Sequence, residues 1–402
     1  MHMVYTDRHQ LHLTDAILYE GRPFITDEVP ARAEIILDAV QTAGLGPITA
    51  PADHGLDPIL AVHSAEFVDF LRTAYDEHAA VIKKRAPVFA ETIIARGGRR
   101  KPKSILGLPG YYAFGVGSPI LEGTWEAAYW SAQCALTAAD IVRAEGRTAY
   151  ALCRPPGHHA AADLYGGYCY LNNAAIAAQY LKHPACTCGA GTGERSDAPA
   201  KPALSNAPSK HPEWSNTPSK HPERSNAQSK PALSNAEGDA AGARTARVAI
   251  LDIDYHHGNG TQEIFYSDPG VLFCSLHAHP DDDYPYYWGE AGERGEGAGE
   301  GFNRNWPLPQ GTGDEAYLAA LDEALAVMHD FGPHYLVVSA GLDIAQDDPV
   351  GGFSITPAGF NAIGQRIAAL RRPTVIVQEG GYLLERLGEN AVAFLRAFGL
   401  RG

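Results

Sequence analysis

The chain has 402 residues, 45% of them hydrophobic and 20% charged, which excludes a disordered or fibrous protein and fits one large α/β domain or two smaller ones. The net charge of −15 argues against nonspecific binding to nucleic acid or an anionic membrane surface and favours encounter with small cations. No apolar run reaches the length of a membrane span and the amino-terminal stretch lacks a signal-peptide core, so a cytoplasmic protein is expected.

Residues 31–40 and 61–75 carry apolar side chains at helical spacing, and a further helix is predicted over 123–144, starting near Thr124. Between them, residues 82–117 are rich in basic residues, Gly and Pro and read as a long surface loop. A repeated pattern then sets in, in which a short apolar run ends in a polar or Gly-rich turn and a helix follows. The apolar runs are 149–153, 248–251, 271–276, 335–340 and 374–378, and helices are predicted at 172–182, 314–331 and 357–370. Such alternation predicts a mainly parallel sheet with helices on both faces, and in such sheets ligands sit beyond the carboxyl ends of the strands.

Residues 185–246 break the pattern. They hold a ten-residue repeat, Ser205-Asn-Ala-Pro-Ser-Lys-His-Pro-Glu-Trp214 followed by Ser215-Asn-Thr-Pro-Ser-Lys-His-Pro-Glu-Arg224. With few apolar side chains the stretch cannot offset its ordering entropy, so it is read as a low-complexity, disordered insertion within a single domain spanning 1–402. The six cysteines, at 134, 153, 169, 186, 188 and 274, are scattered and read as reduced thiols rather than a disulfide framework.

Chemistry gathers at the ends of the apolar runs. In Val248-Ala-Ile-Leu-Asp-Ile-Asp-Tyr-His-His-Gly-Asn-Gly260 the strand runs into a loop where Asp254 and His256, two residues apart in extended backbone, project the same way. Carboxylate oxygen and imidazole nitrogen together suit a divalent metal, and Asp343, after the strand at 335–340, is the natural third ligand. Three protein ligands leave room for water and substrate, the catalytic rather than structural arrangement. The tandem His158-His159 after Pro155-Pro-Gly157 offers a proton shuttle, with Asp252 and Asn259 as orienting partners, one charged and one neutral. Tyr382, in Glu379-Gly-Gly-Tyr382, can donate its phenol to an oxyanion. Asp347 and Asp348 read as a turn ahead of Pro349. Each motif alone also fits an ordinary polar turn; it is their common position at strand ends that makes them one site.

Arg154-Pro-Pro-Gly-His-His-Ala160, Gly166-Gly-Tyr-Cys-Tyr-Leu-Asn-Asn173, Asp252-Ile-Asp-Tyr-His-His-Gly-Asn-Gly-Thr-Gln262, Ser275-Leu-His277, Gly341-Leu-Asp343 and Glu379-Gly-Gly-Tyr382 together resemble the histone deacetylase superfamily. Tyr284-Pro-Tyr-Tyr-Trp288, Gly110-Tyr-Tyr112 and Gly123-Thr-Trp-Glu-Ala127 are most similar to its bacterial acetylpolyamine amidohydrolase branch. The resemblance implies an arginase/deacetylase-like α/β fold, an eight-stranded, mainly parallel sheet flanked by helices. It implies Asp254, His256 and Asp343 as ligands of zinc, with iron(II) or cobalt as alternatives, His158 and His159 as the tandem pair with His159 the general base and acid, and Tyr382 as oxyanion donor. It further implies Tyr168 and Tyr287 as aromatic tunnel walls, the Gly167 carbonyl as acceptor for the substrate amide hydrogen, and a buried structural potassium at Asp252, Asp254, Ser275 and the backbone near Leu276. The loop at 83–117 resembles the segment that builds dimers in that branch, so a homodimer is an expectation.

Two departures bear on substrate. Where that branch is expected to place acidic residues around the long loop, this chain has Leu106 and Val116-Gly117, with Glu122 further along, and Val350 follows Asp348-Pro349 where some polyamine-specific relatives carry glutamate. The resulting expectation is a metal-dependent amidohydrolase removing acetyl from an acetylated polyamine, an acetyl-lysine peptide or a related small cation. Two other readings stand beside it: a binuclear manganese ureohydrolase-like enzyme, which needs more carboxylates than Asp254 and Asp343 supply, and an inactive binding module for acetylated ligands.

Overall fold

A computed structural model describes residues 1–13, 17–19, 22–24, 26–94, 100–183 and 245–399. The chain divides into two units, Met1–Pro184 with Ala243–Gly402, which holds every strand and helix of the described residues, and Ala185–Gly242. The stretch at 185–246 expected to be a disordered insertion lies outside the described residues, apart from 245 and 246.

The strands are β1 (His2–Val4), β2 (Ile17–Tyr19), β3 (Arg22–Phe24), β4 (Ile48–Thr49), β5 (Ala149–Ala151), β6 (Val248–Asp252), β7 (Val271–Ala278), β8 (Asn303–Leu308), β9 (Tyr335–Ala340) and β10 (Thr374–Gln378). The helices are α1 (Ala31–Thr42), α2 (Asp57–Leu60), α3 (Ala65–Ile82), α4 (Leu108–Tyr112), α5 (Thr124–Glu145), α6 (Asn173–Lys182), α7 (Asn259–Phe265), α8 (Asp314–Phe331), α9 (Pro357–Ala369) and α10 (Leu384–Gly399). β2 and β3 form a separate antiparallel pair, and the other strands make one eight-stranded sheet in the order β4-β1-β5-β10-β9-β6-β7-β8. Every pairing in that sheet is parallel, as the alternation of strand and helix requires.

The central strands are buried on both faces, and their period of two splits their side chains between two cores. Ala149, Ala151, Val248, Ile250, Val271, Phe273, Val337, Val375 and Val377 pack with α3, α5 and α6. The intervening residues Tyr150, Ala249, Leu251, Leu272, Cys274, Leu336, Val338 and Ile376 pack with α1, α8, α9 and α10. All four described cysteines, Cys134, Cys153, Cys169 and Cys274, are free and buried. Among the described residues no helix is long and apolar enough to cross a membrane.

Three differences from the sequence reading have local causes. The helix expected over 61–75 is instead α2 and α3, because Ser64 stands between them and caps α3, its Oγ accepting from the Phe67 amide at 3.3 Å. The expected loop at 82–117 contains α4, and a Val88–Ile120 bridge ties it to the body; residues 95–99 lie outside the described set. β1, β4 and β8 escape the apolar-run criterion, since β1 and β4 span three and two residues and β8 carries Asn303, Arg304 and Asn305.

Candidate active site

The order β5-β10-β9-β6 places four successive strands side by side, and each delivers one site segment beyond its carboxyl end. β6 delivers Asp254 and His256, β9 delivers Asp343, β10 delivers Glu379 to Tyr382, and β5 delivers His158 and His159.

Asp254, His256 and Asp343 are buried and offer ligand atoms all within 4.8 Å of one another. His256 Nδ1 lies 3.2 Å from both Asp254 Oδ1 and Asp343 Oδ2. Backbone donors fix the carboxylates: the His256 amide reaches Asp254 Oδ1 at 2.9 Å, the Gly380 amide Asp254 Oδ2 at 2.8 Å, and the Tyr255 amide Asp343 Oδ1 at 3.0 Å. Gly380 admits this approach, because a Cβ there would stand 2.6 Å from Asp254 Oδ2. Burial first, and the Asp254 charge second, push Asp343 up to about 7. Burial would also raise Asp254, but the imidazoles of His158 and His256 outweigh it and hold that carboxyl low. Two buried carboxylates facing one imidazole, with no lysine or arginine among them, form a donor set that a divalent cation fits.

The tandem histidines have different partners. His158 Nδ1 meets Asp252 Oδ2 at 3.0 Å, and although burial favours the neutral ring, Asp254 and Asp252 raise it to about 10. His159 Nδ1 meets Asn259 Oδ1 at 2.7 Å; a carbonyl oxygen only accepts, so Nδ1 carries the hydrogen and Nε2 presents its lone pair. Burial, then the neighbouring His158 and His256, push His159 well below the ordinary range. The two rings are 4.1 Å apart, yet one is built to be charged and the other neutral. The turn beneath them is held by Glu379, whose Oε2 accepts from the amides of Gly157 at 2.6 Å and His158 at 3.2 Å.

Tyr382 is held from both sides. Its amide and that of Leu383 donate to Asp348 Oδ2 at 2.8 and 2.9 Å, and the guanidinium of Arg32 lies 4.5 Å from its ring centroid. Arg32 also donates to the carbonyls of Gly381 at 2.6 Å and Glu379 at 2.7 Å and to Glu28 Oε1 at 3.0 Å. Glu28 in turn accepts from Arg154 at 2.9 Å, so one buried carboxylate serves two buried guanidiniums.

A cavity of about 630 Å³ opens onto this cluster and is lined by His158, His159, His256, Gly380, Tyr382, Gly167 and Tyr168 among others. Gly167 and Tyr168 both have left-handed backbones, with φ of 56° and 64°, and the Tyr168 amide donates to Ser118 Oγ at 2.8 Å. Tyr287, expected as the second wall, is not one: it is 77% exposed and does not line the cavity. A turn in which Tyr286 adopts φ 63° and the Tyr287 amide donates to the Pro285 carbonyl carries Tyr287 outward. Tyr284 takes the place instead, its ring 5.1 Å from that of His159 and 6.0 Å from that of His256, and Tyr286 also lines the cavity. At the expected potassium position, Asp252 and Ser275 are paired across β6 and β7 and buried, and Ser275 Oγ is bonded to His277 Nδ1 at 2.8 Å.

Four residues that hold the site were given no such role by the sequence reading. Asp348, read as part of a turn, anchors the Tyr382 segment, and Glu379 anchors the histidine turn. Arg32 and Glu28 are distant in sequence from everything they organise; the available signal was an arginine on the buried stripe of α1 beside Ala33, Ile36 and Val40.

An all-parallel α/β sheet with a buried two-carboxylate, one-histidine group at its carboxyl edge, beside a pair of adjacent histidines and a tyrosine, is the arrangement of a metal-dependent hydrolase. The match to known proteins makes the class definite. The Histone deacetylase domain family matches residues 26–187 and 235–398, and the chain belongs to that family. It is 39% identical over 398 residues to acetylpolyamine amidohydrolase 1 of Pseudomonas aeruginosa, covering 98% of each chain, and 36% identical over 396 residues to acetylpolyamine amidohydrolase of Mycoplana ramosa, covering 98% of this chain and 99% of that one. A crystal structure of acetylpolyamine aminohydrolase from Burkholderia pseudomallei superposes with a TM-score of 0.80 at 36% identity, over 100% of this chain and 99% of that one.

Proposed function

We propose that this chain is a zinc-dependent deacetylase that hydrolyses N-acetylated amines, with acetylated polyamines as its substrate class. The observation that carries the reading is the meeting of Asp254, His256, Asp343, the His158–His159 pair and Tyr382 at the buried end of one cavity. Full-length similarity to proteins named for acetylpolyamine hydrolysis supports the choice of substrate. Zinc, with iron(II) or cobalt as alternatives, would be held by Asp254, His256 and Asp343 and would supply Lewis acidity to a carbonyl oxygen and to water. Asp252 and Ser275, buried and side by side, offer oxygens for a structural potassium.

His159 Nε2, left bare by the bond from Nδ1 to Asn259, takes the proton from water as its oxygen adds to the acetyl carbon. The Tyr382 phenol donates to the oxyanion that forms, and burial, which keeps its hydroxyl protonated, suits it to that task. The C–N bond then breaks, His159 returns the proton to the amine nitrogen, and acetate and free amine remain. His158, held by Asp252 through its Nδ1, lies beside His159 and helps to position it. Gly167 offers its carbonyl to the substrate amide hydrogen while Tyr168 and Tyr284 flank the acyl chain.

Among the described residues, Asp254, His256 and Asp343 are the one group able to hold a metal, which disfavours a binuclear ureohydrolase. The gap in the family match between 187 and 235 supports one catalytic domain carrying an insertion. A panel of acetylputrescine, acetylspermidine and an acetyl-lysine peptide tests the reading: acetate release from the polyamines is expected, and turnover of none of the three with metal present contradicts it.

A further inference from the structure

The cavity has a buried and an exposed end. His158, His159 and Tyr382 are 3%, 3% and 6% exposed, whereas Val116 and Tyr286 are 44% and 56% exposed. Among the described residues no lysine or arginine lines it, and the lining carboxylates are Asp27 and Asp283. These differ in what already occupies them. Asp283 is engaged at both oxygens, Oδ2 accepting from the Tyr255 hydroxyl at 2.7 Å and Oδ1 from the Tyr284 amide at 2.8 Å. Asp27 is half-buried, and its carboxylate has no hydrogen-bond or ion-pair partner among the described residues. Burial alone pushes that carboxyl up, the mark of a charge short of both solvent and partner. The adjacent Glu28 shows the contrast: it is fully buried, and two guanidiniums neutralise it. Among the described residues, the long loop brings Gly115, Val116 and Gly117 to the cavity and no charged side chain.

Resting on the deacetylase reading above, we infer that Asp27 is the anionic subsite that receives the distal ammonium of an N-acetylated diamine or polyamine. An aliphatic chain with its acetamide at the buried end runs past the Tyr168 ring, which lines the cavity together with Asp27, toward the exposed end. An ammonium arriving there gives the lone carboxylate the partner it lacks, whereas an anionic or uncharged terminus leaves it unpaired. The carboxylate is set on the segment before α1, next to Glu28, which is tied through Arg32 to the Tyr382 segment, so the cation subsite and the oxyanion donor share one support.

The test compares N-acetylputrescine with N-pentylacetamide, in which a methyl group replaces the ammonium, in wild type, Asp27→Asn and Asp27→Glu holoenzymes of matched thermal midpoint. Asp27→Asn is expected to lower the ratio of kcat/KM for acetylputrescine over N-pentylacetamide by about tenfold. The loss should appear in KM for the charged substrate, with Asp27→Glu restoring part of it. An unchanged ratio in Asp27→Asn, or an equal fall for both substrates, overturns the subsite. Hydrolysis of neither substrate by the metal-loaded wild type overturns the deacetylase reading itself and the subsite with it.

Discussion

Arg32→Met separates the support of Tyr382 from its chemistry. Arg32 donates to two buried carbonyls, at 2.6 and 2.7 Å, and to Glu28 at 3.0 Å, and covers one face of the Tyr382 ring. Methionine keeps much of the aliphatic volume and removes every donor. The Gly381 carbonyl then has no partner, at a cost of about 1–3 kcal/mol, while the Glu379 carbonyl keeps a long contact of 3.4 Å from Gln378. Glu28 retains Arg154, so it is not stranded as a lone buried charge, and its share falls below the ~3–5 kcal/mol of a fully broken buried pair. Together these give an expected loss of about 3–4 kcal/mol, measurable as a shift in the urea midpoint at constant slope. Under conditions where the variant stays folded, kcat should fall about tenfold or more, because the phenol is no longer fixed where charge develops. A loss below about 1 kcal/mol would refute the account of the buried network. Full destabilisation with unchanged kcat would refute the claim that the network positions Tyr382.

Other predictions follow from the same geometry. Tyr382→Phe should lower kcat about 10²- to 10³-fold with little change in KM, measured by acetate release. Gly380→Ala, whose Cβ would stand 2.6 Å from Asp254 Oδ2, should weaken metal retention on dialysis more than it perturbs the circular dichroism spectrum. His63 donates from Nδ1 to the Ala161 carbonyl at 2.9 Å and accepts at Nε2 from the Asn172 amide at 2.9 Å, and burial lowers it from 6.5 to about 4. Because the folded state resists protonating this ring, its contribution is intact above pH 6.5 and is lost as pH falls through about 4, amounting to ~3 kcal/mol. Urea midpoints across that interval for wild type and His63→Gln should diverge accordingly, and parallel curves would contradict it.

Much of the site was legible because its chemistry sits on short motifs fused to strand ends. Asp254 and His256 share a face through the period of an extended chain, and Asp343 follows directly on β9. The neighbouring of β5, β10, β9 and β6 was not legible: strand order is set by crossovers between segments that are not consecutive in the chain, β5 and β10 being more than two hundred residues apart, to which local periodicity is blind. Tyr287 was misplaced for a related reason. Among three tyrosines within four positions, only the reversal at Tyr286 decides which ring turns inward, and nothing in the composition of Tyr284-Pro-Tyr-Tyr287 marks it. The Glu28–Arg32–Arg154 knot pairs charges from α1, the segment before it and the turn after β5, and buried pairs of that kind look like surface charge until the packing is known.

The central claim is that Asp254, His256 and Asp343 hold one catalytic divalent ion, and titration of metal into chelator-stripped protein tests it most directly. Acetate release from acetylputrescine should be absent without metal, rise in proportion to added zinc and level off at one ion per chain. Hydrolysis by the stripped protein, or a plateau only at two ions per chain, would contradict it.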